Sequence, residues 1–466
     1  MKSKLLYCLF ILGLFYGFTG TAFAQTNYQE LPEKTRILFL LDASGSMLGK
    51  WENDIRINVA KSILSDLVDS LKINNNLELG LRVYGHQFHR RFQNCKDTRL
   101  EVPFRANNHE LVKSKLNGLQ PKGTTPLAYS LEQAANDFPD TEDVRNIVII
   151  ITDGLESCEG DPCSISLSLQ KKRIFLKPFI IGIGMNKSFE EKFDCLGQFF
   201  DASNIHQFRE VLNTALNQTL SKTTVSVELL DIQGQPKESN VNVTFINNVT
   251  NEAEYNFVHF RDRLGRPDSV EVDAVLSYDL QVNTIPPITR KNIHLVPGKH
   301  NVLSIKAPQG TLQLHQPGHT EYKGGVQAII RKNGKAQTIN VQDISTKETY
   351  LVGKYDLEIL TLPRIFYKGI EVTQSSNKTL RIPDPGVLNI RANVTGFGSV
   401  YVVKDDGSQE LIKNLDHNKT RFSFAIQPGN YRIVFRAKQA FGSKYTEIKN
   451  FTIKSGSTIS INLFGR

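Results

Sequence analysis

The stretch "LLDASGSM", Leu40 to Met47, decides how this chain is read. The apolar run Ile37 to Leu41 has the length and composition of a parallel strand buried on both faces. It ends abruptly on Asp42, Ser44 and Ser46, a carboxylate and two hydroxyls on alternate residues. A helix cap accounts for either serine alone, not for three alternating oxygens after a buried strand. A serine nucleophile needs a base and a Gly-x-Ser-x-Gly type of turn, and neither accompanies this segment. What remains is a site for a hard cation, in a tight loop that Gly45 allows to turn.

Two further segments offer oxygens. Ile147 to Thr152 is a second continuous apolar run, and it ends on Asp153 and Gly154. "KGTTPLAYSL", Lys122 to Leu131, opens a helix after a glycine turn, so that Thr125 presents a hydroxyl at the helix start. If the two strands are neighbours, Asp42 and Asp153 lie about 5 Å apart in strand spacing. Mg²⁺ suits such a set, because it takes near-octahedral oxygens and tolerates few protein carboxylates beside neutral ligands.

Around these motifs residues 36–220 alternate between strand and helix patterns. Phe179 to Ile183 is a third buried run, while Leu77, Leu79, Leu81 and Val83 alternate with polar residues and suit a strand nearer the edge, as do Leu100, Val102 and Phe104. Val59, Ile63, Leu67 and Leu71 recur at helical spacing, as do Leu127, Leu131, Ala134 and Phe138, and then Phe208, Val211, Leu212, Ala215 and Leu216. Asp161-Pro162 has the form of an N-cap and a first-turn proline. The pattern predicts an α/β domain with a doubly wound, mostly parallel sheet, which binds ligands at the carboxyl ends of its strands where strand order reverses.

The order Asp-x-Ser-x-Ser, then threonine in a Gly-Thr-Thr-Pro turn, then Thr-Asp-Gly resembles the von Willebrand factor type A domain and its metal-ion-dependent adhesion site. "RVYGH" (Arg82 to His86) and "LESCEGDPC" (Leu155 to Cys163) further resemble exported bacterial members of that family. The resemblance implies that Ser44, Ser46 and Thr125 ligate Mg²⁺, with Mn²⁺ or Ca²⁺ as alternatives, through their hydroxyls. Asp42 and Asp153 would act directly or through water. It also implies an open position on the ion for an acidic side chain of a protein partner.

The ends of the chain differ from this domain. Lys2 and Lys4, an apolar stretch from Leu5 to Phe18 and Ala22-Phe23-Ala24 form a cleavable secretory signal over residues 1–24. A membrane anchor needs about 20 apolar residues, and Gly17 to Thr21 interrupt the run too early. Without Lys2 and Lys4 the formal charge falls from +9 to +7. It is spread along the chain, with no Lys/Arg run suited to nucleic acid. No later stretch suits a membrane span, so the mature chain is expected to be exported, to the periplasm, the cell surface or the medium.

Beyond Leu220 short Val/Ile/Thr/Tyr runs punctuated by Gly, Pro and Asn replace the helical patterns. Tyr-x-apolar-x-apolar recurs at Tyr278, Tyr355 and Tyr431, spaced 77 and 76 residues apart. Each is followed by a strand ending in "VLSI" (Val302 to Ile305), "TLRI" (Thr379 to Ile382) or "TISI" (Thr458 to Ile461). The register predicts three tandem β-sandwiches, at 221–307, 308–384 and 385–466, after a first domain at 36–220.

Of the remaining candidates, His86 and His89 form an HxxH beside Arg90 and Arg91, too little for a metal site. Glu156, Glu159 and Asp161 suit a solvated acidic loop with a helix cap. Cys95, Cys158, Cys163 and Cys195 remain after cleavage, and an even count in an exported chain points to disulfides rather than zinc, given that no CxxC is present. The predicted sheet order puts Cys95 and Cys195 on opposite sides, beyond the roughly 7 Å reach of a bridge. Four oxidised cysteines would then pair Cys95 with Cys158 or Cys163, and Cys195 with the other. The sequence thus predicts a non-enzymatic, metal-dependent binding protein carried on a β-sandwich stalk. Its alternative is an envelope assembly factor whose β-domains make the main contacts.

Overall fold

The computed structural model describes residues 34–141, 144–154, 156–172, 174–175, 180–183, 199–202, 204–274, 276–318, 322 and 325–464. The expected signal segment, Phe179 and Cys195 lie outside them. The first domain runs β1 (Lys34–Asp42), β2 (Lys50–Trp51), β3 (Asp54–Ile55), α1 (Arg56–Ser70), β4 (Leu77–Tyr84), β5 (Thr98–Ala106), α2 (His109–Gly118), α3 (Leu127–Ala134), β6 (Val144–Thr152), α4 (Pro162–Lys171), β7 (Ile174–Phe175), β8 (Ile180–Ile183), β9 (Phe199–Ala202) and α5 (Ile205–Leu220). Among the described residues the main sheet has the order β5-β4-β1-β6-β8-β9, with β7 also pairing with β6. Its pairings are parallel apart from the antiparallel β4–β5 pair at one edge.

Alternate residues of β1 feed two cores. Ile37, Phe39 and Leu41 pack with α1, α2 and α5 through residues such as Ile63, Leu116 and Phe208. Leu38 and Leu40 pack on the other face with Leu127 and Leu131 of α3 and Leu169 of α4. A strand covered on both sides has no polar face to show, which is why its sequence does not alternate. Because β1 lies between β4 and β6, the chain winds outward from it in both directions, and its carboxyl end is the switch point.

The alternating β4 lies near one edge of the sheet, as its pattern predicts. It lies one strand in, and nearly every residue is buried. Its polar residues answer to partners instead of solvent. Arg82 pairs with Asp137 through two hydrogen bonds of 2.5 and 2.7 Å, and Glu78 takes Arg36 at 2.8 Å. A side chain at Gly80 would fall 2.9 Å from Leu38 and 3.0 Å from Phe104.

The rest of the chain forms three pairs of sheets among the described residues, each a three-stranded sheet beside a four-stranded antiparallel one. The repeat is physical. Tyr278, Tyr355 and Tyr431 are all buried, and each hydroxyl donates to a backbone carbonyl upstream, on Asp273, Leu351 and Gln427 respectively. The joints repeat as well. Leu351 N–H donates to the Ile285 carbonyl at 2.8 Å, and 76 residues later Gln427 N–H donates to the Leu362 carbonyl at 2.7 Å. Within each accepting turn a threonine hydroxyl, Thr284 or Thr361, donates to the carbonyl of the proline two residues on, both at 2.7 Å.

The head is tied to the first of these units by Arg145 of β6, whose guanidinium makes a bidentate, buried pair with Asp273. Depriving a buried carboxylate of such a partner is costly. Arg145→Ala is therefore expected to destabilise the junction by about 3 kcal/mol, measured by denaturant titration of the full chain. The double substitution Arg145→Met with Asp273→Leu should recover most of that loss.

Candidate metal centre

The centre is built where β1, the loop after β4, the turn before α3 and the end of β6 converge. Beyond Asp42 the chain makes a short 3-10 turn, Gly45–Leu48, anchored by the fully buried Met47 in the core beneath. Ala43 N–H donates to the Tyr84 carbonyl, and Gly45 N–H to that of Gly123, both at 2.9 Å. Ser44 and Gly123 pair as a parallel bridge. Lys122 N–H is shared between the carbonyls of Ala43 and Gly85.

Gly45 is not the glycine this loop requires. Its φ is not in the left-handed region, and a Cβ there would meet ordinary contacts from 3.6 Å outward. Gly85 is the constrained one. Its φ is +70°, and a Cβ would lie 2.6 Å from the Thr124 carbonyl oxygen and 2.8 Å from Ser44 Cα. Only a residue without a side chain lets the three loops approach this closely.

Four of the five expected residues are joined directly. Asp42 is fully buried; its Oδ1 accepts the Ser44 N–H at 2.7 Å and its Oδ2 the Thr152 hydroxyl at 2.7 Å. The Ser44 and Ser46 hydroxyls lie 2.8 Å apart, and Ser46 Oγ donates to Asp153 Oδ1 at 2.6 Å. Thr125 is brought alongside by its backbone. It follows Gly123 by two residues, and its N–H and carbonyl pair with Ser157 Oγ and Ser157 N–H. Its side chain is buried, and among the described residues it makes no hydrogen bond with the other four. No group of three or more His, Cys, Asp or Glu that could hold a metal occurs among the described residues. The centre is a hydroxyl-rich one with two carboxylates.

The remaining candidates are dispersed. His86 Nε2 faces Glu101 at 2.8 Å, while the exposed His89 accepts from Arg91 N–H at the turn Arg90–Phe92, so the HxxH does not converge. Asp161 caps α4, accepting Cys163 N–H at 3.0 Å, as its Asp-Pro context predicts. Glu156 is half-buried rather than fully solvated. It accepts Ala128 N–H at 2.5 Å and Cys158 N–H at 2.8 Å, which ties the start of α3 to the loop after β6, and burial raises its pKa. Cys95 is bonded to Cys158, with Cα atoms 5.8 Å apart, and Cys163 is also disulfide-bonded.

Sequence patterns missed Arg56. Its Nη1 donates to Asp153 Oδ2 at 2.7 Å, across 97 residues of chain. The available signal was its place at the first position of α1, where the positive end of a helix disfavours a cation. Thr152 was also missed as a partner of Asp42, although it lies in the quoted Thr-Asp-Gly motif.

The electrostatics suit a cation. Burial, and then the Asp153 charge, push the Asp42 pKa up from 3.8 to about 6, against the hydrogen bonds that lower it. The folded state therefore binds this proton more tightly than the unfolded chain does. In EDTA, the contribution of Asp42 to stability is expected to be fully present only well below pH 3.8 and lost as pH rises through about 6, by about 3 kcal/mol in all. Denaturant titrations of the wild type and Asp42→Asn across pH 3 to 8 check this, since the isosteric amide keeps the acceptor for Ser44 and should remove the difference.

The von Willebrand factor type A domain family matches residues 37–156. The uncharacterised protein YwmC of Bacillus subtilis is 28% identical over 206 residues, covering 42% of this chain and 88% of that protein. Among solved structures, the hypothetical protein BatB of Bacteroides thetaiotaomicron is 20% identical, with a TM-score of 0.31, over 38% of this chain and 97% of that one. The pilus adhesin SpaC of Lactobacillus rhamnosus GG is 9% identical, with a TM-score of 0.34, over 94% and 88%. The doubly wound head, with its Asp-x-Ser-x-Ser, Gly-Thr-Thr-Pro and Thr-Asp-Gly turns gathered at one end of the sheet, is thus a domain of the von Willebrand factor type A kind.

Proposed function

We propose that this chain is an exported protein that binds a partner through a divalent metal ion, Mg²⁺ or Mn²⁺, at the end of β1. Ser44, Ser46 and Thr125 would supply neutral oxygens, and Asp42 and Asp153 the charge. The ion would supply a Lewis-acidic position for a carboxylate of a protein partner. The observation that carries this reading is the run of oxygens Ser44–Ser46–Asp153, at 2.8 and 2.6 Å, beside a wholly buried Asp42 whose ionisation the fold opposes. Two carboxylates and several hydroxyls give a hard ion enough oxygens without saturating its charge.

Disulfide-bonded Cys95, Cys158 and Cys163 suit an oxidising compartment. Among the described residues no helix is long and apolar enough to cross a membrane. The three jointed β-units would hold the head away from its point of attachment.

Millimolar Mg²⁺ or Mn²⁺ is expected to raise the melting temperature of the head, with a stabilisation of about 2.7 kcal/mol at a hundredfold excess over Kd. Ser44→Ala with Ser46→Ala should abolish the shift. Melts unaffected by either ion would refute the metal reading. Binding to envelope proteins should be lost in EDTA and in Asp42→Ala, as read by pull-down. Capture that survives both would favour an assembly role carried by the β-domains.

A further inference from the structure

Arg56 is placed against its local preferences. It opens α1, where the helix dipole repels a cation, and the first turn holds no acidic residue to offset it. The β2–β3 hairpin delivers it there, closed by the hydrogen bond from Arg56 N–H to the Gly49 carbonyl at 3.0 Å. Its guanidinium lies against Gly49, where a Cβ would stand 3.4 Å from Arg56 Cζ and 3.1 Å from the Ser46 carbonyl oxygen. Arg56 Nε is buried with no hydrogen-bond partner among the described residues, so the group is not held there by a full set of acceptors. The 2.7 Å pair with Asp153, whose side chain is wholly buried, is the interaction that offsets these costs.

Each Asp153 oxygen then has its own task. Oδ1 accepts from Ser46 within the oxygen cluster, and Oδ2 is committed to Arg56. Counting formal charges, Asp42 and Asp153 bring −2 and Arg56 +1, for a sum of −1. A divalent ion would take that sum to +1, whereas without Arg56 it would reach zero.

We propose that Arg56 is the built-in counter-cation of this centre: it lowers the affinity of the site for a divalent ion and leaves the loaded site positive, so that an anionic group from outside is needed to neutralise it. This rests on the metal-binding reading above. Arg56 acts through Asp153 and is a positioning residue, not a ligand.

The test is Mn²⁺ titration of the full chain by calorimetry, in wild type, Arg56→Gln, Arg56→Met and Arg56→Lys. Loss of the charge should tighten Mn²⁺ binding about tenfold or more, whereas Arg56→Lys should remain within about threefold of wild type. Arg56→Met keeps the packing over Gly49 and gives the same readout if the glutamine variant does not fold. Acetate, used as a carboxylate probe on the Mn²⁺-loaded protein and read by the Mn²⁺ magnetic resonance spectrum, should bind wild type about tenfold more tightly than the uncharged variants. Equal or weaker Mn²⁺ binding by the uncharged variants, or equal acetate affinities, overturns the counter-cation while leaving the metal site standing. Absence of Mn²⁺ binding in every form overturns both.

Discussion

The burial of the Asp42 carboxylate is the constraint to which the rest of the head answers. A charged group taken out of water needs hydrogen bonds or a counter-charge. Asp42 receives two hydrogen bonds, from Ser44 N–H and the Thr152 hydroxyl. Neither is a charge, and the charge that acts on Asp42 is that of another carboxylate, Asp153. The arrangement is tolerable in the folded chain only because β1 and β6 are in parallel register, Leu41 opposite Ile151, which brings Thr152 and Asp153 to the same end of the sheet. The cost retained at this point is what a cation would relieve.

Rigidity around that carboxylate comes from both sides of β1. The loop after β4 and the turn before α3 are bonded to the Asp42 loop through Gly85, Lys122 and Gly123, at separations that leave no room for a side chain at Gly85. The Cys95–Cys158 bond links the loop after β4 to the loop after β6 across the end of β1. Glu156 and Ser157 then fasten that second loop to the start of α3. Each oxygen of the centre is therefore positioned by backbone whose neighbours are themselves fixed, as a preorganised binding site requires.

The β-units show the same economy at a larger scale. One joint, a backbone N–H of the following unit donated to a carbonyl of the preceding turn, is used twice at equivalent positions. Glu238 adds contacts to Gln309 and Gln374 at the first joint, and Tyr322 to Gln427 at the second. With Arg145 paired to Asp273 at the head, each successive unit meets the next through defined polar contacts. Such joints suit the display of a binding head, the role proposed for this chain.

Much of this was legible in the residues. Apolar runs without alternation identified β1 and β6 as strands covered on both faces, because no exposed face demanded polar residues. The three oxygens after Ile37 to Leu41 marked the end of β1 at which Ser44, Ser46 and Asp153 are joined, because residue type and spacing are local properties. The repeat at 76 and 77 residues identified three β-units, since each must bury its own tyrosine. Tertiary structure alone decided the rest. Alternation in β4 placed that strand nearer the edge but did not show its burial, in which Arg82 and Glu78 find ionic partners inside the domain. Gly85 rather than Gly45 proved to be the constrained glycine, and the half-buried Glu156 accepts the N–H groups of Ala128 and Cys158 rather than standing free in a solvated loop. The pairing of Arg56 with Asp153 and of Thr152 with Asp42 joins residues 97 and 110 apart in the chain. Such contacts depend on which strands become neighbours, and no local periodicity or motif encodes the partner of a charge that the fold brings from a distant segment.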